Sequence, residues 1–275
     1  MNSLIAKLRE IVKEKQNAVY VSIINSTGST PRGVGASMIV TKKGRIFGTI
    51  GGGALEYRCE KKALEVLETK TSCTEHYLLH ENEIQDLGMI CGGNVLVEFA
   101  FIDSEDDVAL EETEKKESQY QKPGTVYIFG GGHISRALTP ILDMVDFKCI
   151  VLEDREDFCK IDLFPGAYKT LLTDNERVNE YVTLNKEDYA VIVTRGHKDD
   201  QIIQAQVLKT SVGYIGVIGS KRKAEKVFGN LREMGFSNED LSRITTPIGL
   251  DIGGDSPAEI AVSIAAQLIS VRARR

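Results

Sequence analysis

The sequence predicts an α/β chain in two parts: an N-terminal α+β domain, then a doubly wound parallel sheet with helices on both faces. Three observations predict it. From Thr125 onward, apolar runs of strand length alternate with amphipathic runs of helix length, the pattern of parallel strands joined by crossover helices. Before that point the strand-like runs are separated by Gly-rich loops and do not alternate with helices in this way. Between the two lies DSEDDVALEETEKKESQYQK, almost wholly polar and ending at Pro123-Gly124. It reads as a linker over 104–122, with a turn or two of helix, so the domains are expected at 1–103 and 123–275.

The first domain opens on a helix whose apolar face is Leu4, Ile5, Leu8, Ile11 and Val12. AVYVSII reads as a buried strand and STGSTPRGVGA as a loop. SMIVTKKGRIFGTI reads as a hairpin turning at Lys43-Gly44. After Gly51-Gly52-Gly53 comes a strong helix, ALEYRCEKKALEVLE, and CTEHYLLH and NVLVEFAFI supply further strands.

In the second domain TVYIFG, FKCIVLED, YKTLL, DYAVIVTR and GYIGVIG are the expected strands. HISRALTPILDMV, NERVNEYVT, DDQIIQAQVLKT and SKRKAEKVFGNLREMG are the expected helices. The last helix, SPAEIAVSIAAQLISVR, carries a capping box, with Ser256 as N-cap, Pro257 at N1 and Glu259 at N3.

Composition bounds the function. The 275 residues are 42% hydrophobic and 27% charged, as in a folded globular protein. A net charge of −6 argues against general nucleic-acid binding. The N-terminus lacks a signal-peptide pattern, and no apolar run approaches a bilayer span, so no membrane partner and a cytoplasmic location are expected. The five cysteines include no C-x-x-C pair, which points away from a disulfide framework or zinc knuckle. Of these, Cys91 has unusual neighbours: it stands in GMICGG, next to two glycines.

GGGHIS follows a strand and opens a helix. Gly130 and Gly132 match the first two glycines of the dinucleotide fingerprint, and the small Ser135 stands at the third. The domain is therefore Rossmann-like. Asp154 lies where a ribose-binding acid is expected, while Arg155 beside it suits a 2′-phosphate. In such a sheet the loops after parallel strands open on one edge. That edge carries His133; then Gly196, His197, Asp199 and Asp200; then Ser220, Lys221 and Arg222 at a helix start. A plainer reading stands beside each. The sheet can carry a tight Gly turn with no cofactor, the aspartates can serve the helix dipole, and the cations can be solvated surface.

The ordered set STGSTPRGVGASM, GTIGGGALE, GMICGG, FGGGHISRAL, EDRE, TRGHKDD, YIGVIGSKRK and PIGLDIGGDSPAEIAVSIAAQLI resembles the xanthine dehydrogenase accessory protein family, XdhC/CoxI, over nearly the whole chain. The resemblance implies a chaperone more than a turnover enzyme. It would bind the molybdenum cofactor (molybdopterin) and support its sulfuration and insertion into a molybdenum hydroxylase. An apo-hydroxylase such as xanthine dehydrogenase and a cysteine desulfurase are the implied partners, and family habit suggests a homodimer. GGGA stands where a CoxI-like branch has Ser-Gly-Gly-Cys, so a mechanism needing two N-terminal cysteines does not carry over.

On that reading Cys91 contacts the metal or its sulfur, a role suited to a soft thiolate. Gly51, Gly52, Gly53, Gly92 and Gly93 leave room for a flat ring system. Arg32 would pair with the cofactor phosphate and Glu56 accept from pterin N–H groups. The Rossmann edge would take a phosphate or nucleotide end, NAD(P) included. The alternative is an NAD(P)-dependent oxidoreductase with His197 as acid/base and Asp154 on the ribose, which leaves GMICGG without a role.

Overall fold

The computed structural model describes residues 4–79, 93–120 and 124–275. The chain forms two compact units, one ending at Lys122 and the other beginning at Pro123.

The N-terminal unit is built on an antiparallel sheet of five strands: β1 (Ala18–Gly28), β2 (Ser37–Thr41), β3 (Gly44–Gly48), β4 (Cys73–Leu79) and β5 (Gly93–Ile102). Their order is β3-β2-β1-β5-β4, so β1 is central, and its first six residues are all buried. Alternation along β1 sends Val19, Val21 and Ile23 to one face and Ala18 and Tyr20 to the other. The first set packs under helix α2 (Gly53–Thr69), which contributes Leu55, Cys59, Ala63, Val66 and Leu67. The second packs under helix α1 (Leu4–Lys13), through Leu8 and Ile11.

Within the charged stretch 103–122, residues Val108–Tyr120 form helix α3. Leu110 of α3 joins the α1 cluster, Arg9 of α1 pairs with Glu114, and Lys116 pairs with Glu98 of β5. The Tyr20 hydroxyl donates to Glu117 at 2.5 Å. The apolar stripe of α3 is narrow, with Leu110 its one buried apolar side chain among the described residues, so its hydrophobic periodicity is weak in the sequence.

The C-terminal unit holds a six-stranded parallel sheet of order β11-β10-β9-β6-β7-β8. Its strands are β6 (Thr125–Phe129), β7 (Lys148–Glu153), β8 (Lys169–Leu172), β9 (Tyr189–Ile192), β10 (Tyr214–Val217) and β11 (Ile244–Thr245). The order reverses at β6, which pairs with β7 on one side and β9 on the other. Helices α4 (His133–Met144) and α8 (Pro257–Ala273) cover one face through Leu138, Leu142, Ala261, Ile264 and Leu268. Helices α5 (His197–Val207), α6 (Lys221–Glu233) and α7 (Asn238–Ser242) cover the other, through Ile203, Val227, Leu231 and Leu241.

The doubly wound sheet is the architecture expected from the sequence. The capping box of α8 is present as read, with Ser256 Oγ accepting the Glu259 N–H and Glu259 reaching back. Helix α7 and strand β11 are additions that no run in the sequence predicts, and one expected helix takes another form. The run NERVNEYVT is a 3₁₀ segment, Asn175–Glu180, in place of an α-helix. Arg177 leaves the helical region (φ −137°, ψ 38°), and only Val178 is buried, too little apolar surface to hold a regular helix on the sheet.

No helix among the described residues is long and apolar enough to cross a membrane.

Candidate functional site

The N-terminal unit gathers its Gly-rich loops at one end of the sheet. Gly28 pairs with Gly93 where β1 and β5 end and begin. A Cβ on Gly93 would stand 2.6 Å from the Ser29 carbonyl oxygen and 2.7 Å from that of Thr27, so only glycine lets the 27–30 segment cross so closely. Gly51 lies against the same loop: a Cβ there would sit 2.6 Å from Pro31 Cβ and 3.5 Å from Arg32 Cγ. The structure thus brings Arg32, Gly51 and Gly93 to one loop cluster, with the Arg32 side chain exposed.

Gly51, Gly52 and Gly53 have φ values of 125°, 75° and 63°, three successive residues in backbone that L side chains avoid. The turn needs an anchor, and Glu56 supplies it. Its Oε2 accepts the Thr49 hydroxyl at 2.5 Å, the Ile50 N–H at 3.1 Å and the Gly52 N–H at 3.2 Å, while Oε1 pairs with Arg45 at 3.2 Å. Glu56 therefore holds the glycine turn through its own chain. Gly52, the N-cap of α2, has no side-chain cap, and a Cβ on it would meet nothing within 4 Å. A broad ligand can lie on that backbone without a side chain in the way. Cys91 and Gly92 lie outside the described residues.

The C-terminal unit carries a cleft of about 310 Å³ where the strand order reverses. Gly130, Gly132, His133, Asp154, Arg155 and Asp199 line it, together with Glu153, Thr194, Arg195 and Pro257, which stand inside the motifs EDRE, TRGHKDD and DSPAEI but carry no site role in the sequence reading, and with Asn175, which lies in no motif. Gly130 (φ 111°) passes 2.7 Å, at its missing Cβ, from the carbonyl oxygen of Val193, the residue just after β9. Ser135 is fully buried and donates its hydroxyl to the Gly130 carbonyl, which closes helix α4 against the strand. Gly132 is the N-cap of α4 without a side-chain cap, and its missing Cβ also faces open space.

Glu153 is the centre of the cleft floor. It is 2% exposed, ends the buried strand β7, and accepts the Gly131 N–H at 2.5 Å. Arg155 clamps it from two residues on, Nε to Oε1 at 2.6 Å and Nη2 to Oε2 at 3.0 Å. Burial opposes its charge, but the hydrogen bonds it accepts from Arg155 and the Gly131 N–H, with the Arg155 charge, outweigh this and bring its pKa down to about 2. Burial and the Glu153 carboxylate push the neighbouring Asp154 the other way, above the usual aspartate range. Arg195, from the loop after β9, stands 3.6 Å from Asp154.

Of the remaining candidates on this edge, Asp200, Ser220, Lys221 and Arg222 are not among the residues that line the cleft. His197 opens α5, and its side chain lies outside the described residues. Asp200 is buried and accepts the Thr194 hydroxyl at 2.6 Å, which fixes the turn ahead of α5. Ser220 caps α6 by accepting the Lys223 N–H, and Lys221 and Arg222 are exposed in its first turn. Among the described residues no group of three or more His, Cys, Asp or Glu side chains is placed to hold a metal ion. The described cysteines, Cys59, Cys73, Cys149 and Cys159, are free thiols.

Fold and site together define a two-domain protein: an antiparallel domain with an open glycine turn, and a Rossmann domain with a cleft at its switch point. Comparison with known proteins gives the family. The model described as XdhC Rossmann domain matches residues 126–268, and that of the XdhC and CoxI family matches residues 11–78. The chain belongs to the XdhC and CoxI family.

It is 22% identical to a probable xanthine dehydrogenase subunit of Bacillus subtilis, over 100% of this chain and 99% of that one. It is 22% identical to the molybdenum cofactor insertion chaperone PaoD of Escherichia coli, over 96% of this chain and 86% of that one. It is 27% identical to the uncharacterized protein YqeB of Escherichia coli, over 94% of this chain but only 44% of YqeB, so it spans less than half of that relative. The crystal structure of a xanthine dehydrogenase from Bacillus halodurans superposes with a TM-score of 0.81 at 22% identity, covering 98% of this chain and 96% of that one. That likeness establishes the fold.

Proposed function

We propose that this chain is an accessory protein that holds the molybdenum cofactor and passes it to a molybdenum hydroxylase of the xanthine dehydrogenase kind. Family membership and the likeness to PaoD and to the Bacillus subtilis protein support the role. The observation that carries it onto this chain's own residues is the glycine turn at 51–53. Its backbone is open at Gly52, Glu56 anchors it, and it lies against the loop bearing Arg32. A flat pterin can approach such a turn, and Arg32 is the residue to take its phosphate. Glu56 positions the turn. Cys91 is the proposed ligand of the metal or its sulfur, a soft donor for a soft partner. When bound, the cofactor supplies the molybdenum centre that the client enzyme uses. Sulfuration with a cysteine desulfurase and assembly as a homodimer in the cytoplasm belong to the same proposal.

The test is cofactor retention. The chain, purified from cells that make the cofactor, should carry molybdenum by elemental analysis and release a fluorescent oxidised pterin. Cys91→Ser should lose the metal, and Arg32→Ala should lower pterin retention about tenfold. Wild-type protein free of both molybdenum and pterin, or a Cys91→Ser protein that retains both at wild-type levels, overturns the assignment.

A further inference from the structure

The Rossmann cleft contains two arginines and three carboxylates, and their existing partners decide what it accepts. Arg155 is the cation at the tip of β7, where a 2′-phosphate would lie. Its guanidinium is already bidentate on Glu153, and its face lies 3.8 Å from the Phe158 ring centroid. Glu153 is 2% exposed and also fastens Gly131, so releasing Arg155 would leave a buried, half-partnered carboxylate. Asp154, next along, lines the cleft with its side chain 32% exposed. The approach at Gly132 is open backbone at the head of a twelve-residue helix.

We infer that the cleft binds a nucleotide with an unmodified ribose diol on Asp154 and its phosphate at Gly132, and that Glu153 makes it reject a 2′-phosphate by holding Arg155 away. A diol offers two O–H donors, which a carboxylate accepts. A 2′-phosphate offers only acceptors and negative charge, and it would face Asp154 and Glu153 with Arg155 engaged on Glu153 and Arg195 paired with Asp154 at 3.6 Å. Glu153 is a positioning residue here, acting through Arg155. The inference is independent of the molybdenum cofactor reading, because nucleotide binding can be measured on chain that carries no molybdenum.

The full chain has no tryptophan, so NADH fluorescence can be followed directly during titration. NADH should bind saturably, ADP should displace it, and NADPH should bind at least tenfold more weakly. Asp154→Ala should weaken NADH about tenfold. Glu153→Gln, which still accepts the Gly131 N–H but loses the charge that holds Arg155, should narrow the NADH/NADPH ratio. Arg155→Ala should leave that ratio as in the wild type. No saturable NADH binding, or NADPH binding as tightly as NADH (the result if Arg195 turned to the extra phosphate), overturns the inference on wild-type protein alone.

Discussion

The carboxylate of Glu153 accepts the backbone N–H of Gly131 at 2.5 Å, across 22 residues of sequence. This one contact ties the second strand of the Rossmann domain to the glycine turn after the first. It makes the shape of that turn depend on the charge of a buried acid.

Acid should therefore loosen the C-terminal domain. Glu153 has its pKa lowered to about 2, against about 4.3 in an unfolded chain, so its contribution is complete above about pH 4.3 and is lost as the pH falls toward 2. Denaturant melts at pH 6, 4 and 3 should show falling stability, with a shallower fall in Glu153→Gln. Glu153→Ala should cost about 2 kcal/mol at pH 7, since it strands both Arg155 and the Gly131 N–H.

Asp154 should behave oppositely. Its raised pKa means that ionisation at neutral pH costs folding free energy, a cost that appears as the pH rises through the folded value. Asp154→Asn should thus raise the Tm at pH 7 while weakening nucleotide binding, and a thermal melt beside an NADH titration reads both.

The glycine turn of the first domain should rank its own substitutions. Gly51→Ala meets both a positive φ and Pro31 Cβ at 2.6 Å, and should cost more than about 2 kcal/mol. Gly52→Ala has open space and a strained φ alone, and should cost about 1 kcal/mol. Glu56→Ala removes the acceptor for Ile50 and Gly52, and should cost about 1–2 kcal/mol. Hydrogen exchange at those two amides should quicken in Glu56→Ala, and unfolding curves give the order.

Thiol chemistry should separate the cysteines. Burial pushes the Cys59 and Cys149 thiols up to about 12, and both are fully buried. At pH 8 neither should react with a thiol reagent until the protein is denatured, whereas the partly exposed Cys73 and Cys159 should. Peptide mapping after labelling decides it.

Much of this is legible in the sequence because it rests on local, periodic signals. The strand–Gly turn–helix at 125–144 and the capping box at Ser256 each satisfy a backbone need within a few residues. Glu153 does not read as a site residue because the fingerprint points to the acid beside it. The signal is nonetheless present: an acid closing the apolar run KCIVL must find a partner, and an arginine stands two residues away. Glu56 reads as a ligand acceptor, whereas the fold turns its carboxylate onto Thr49, Ile50 and Gly52, long-range geometry that no spacing reveals. The 3₁₀ run at 175–180 looks helical by composition, but tertiary packing gives it too little to bury.

Helix α3 joins to helix α1 and the first sheet through Leu110, Glu114, Lys116 and Glu117. Severing the chain at residue 103 would thus bare Tyr20, Leu8 and Ile11 and leave Arg9 without its counter-ion. A stretch that looks dispensable by its letters is a lid on the first domain's second core. Any fragment meant to fold alone has to keep it through Tyr120.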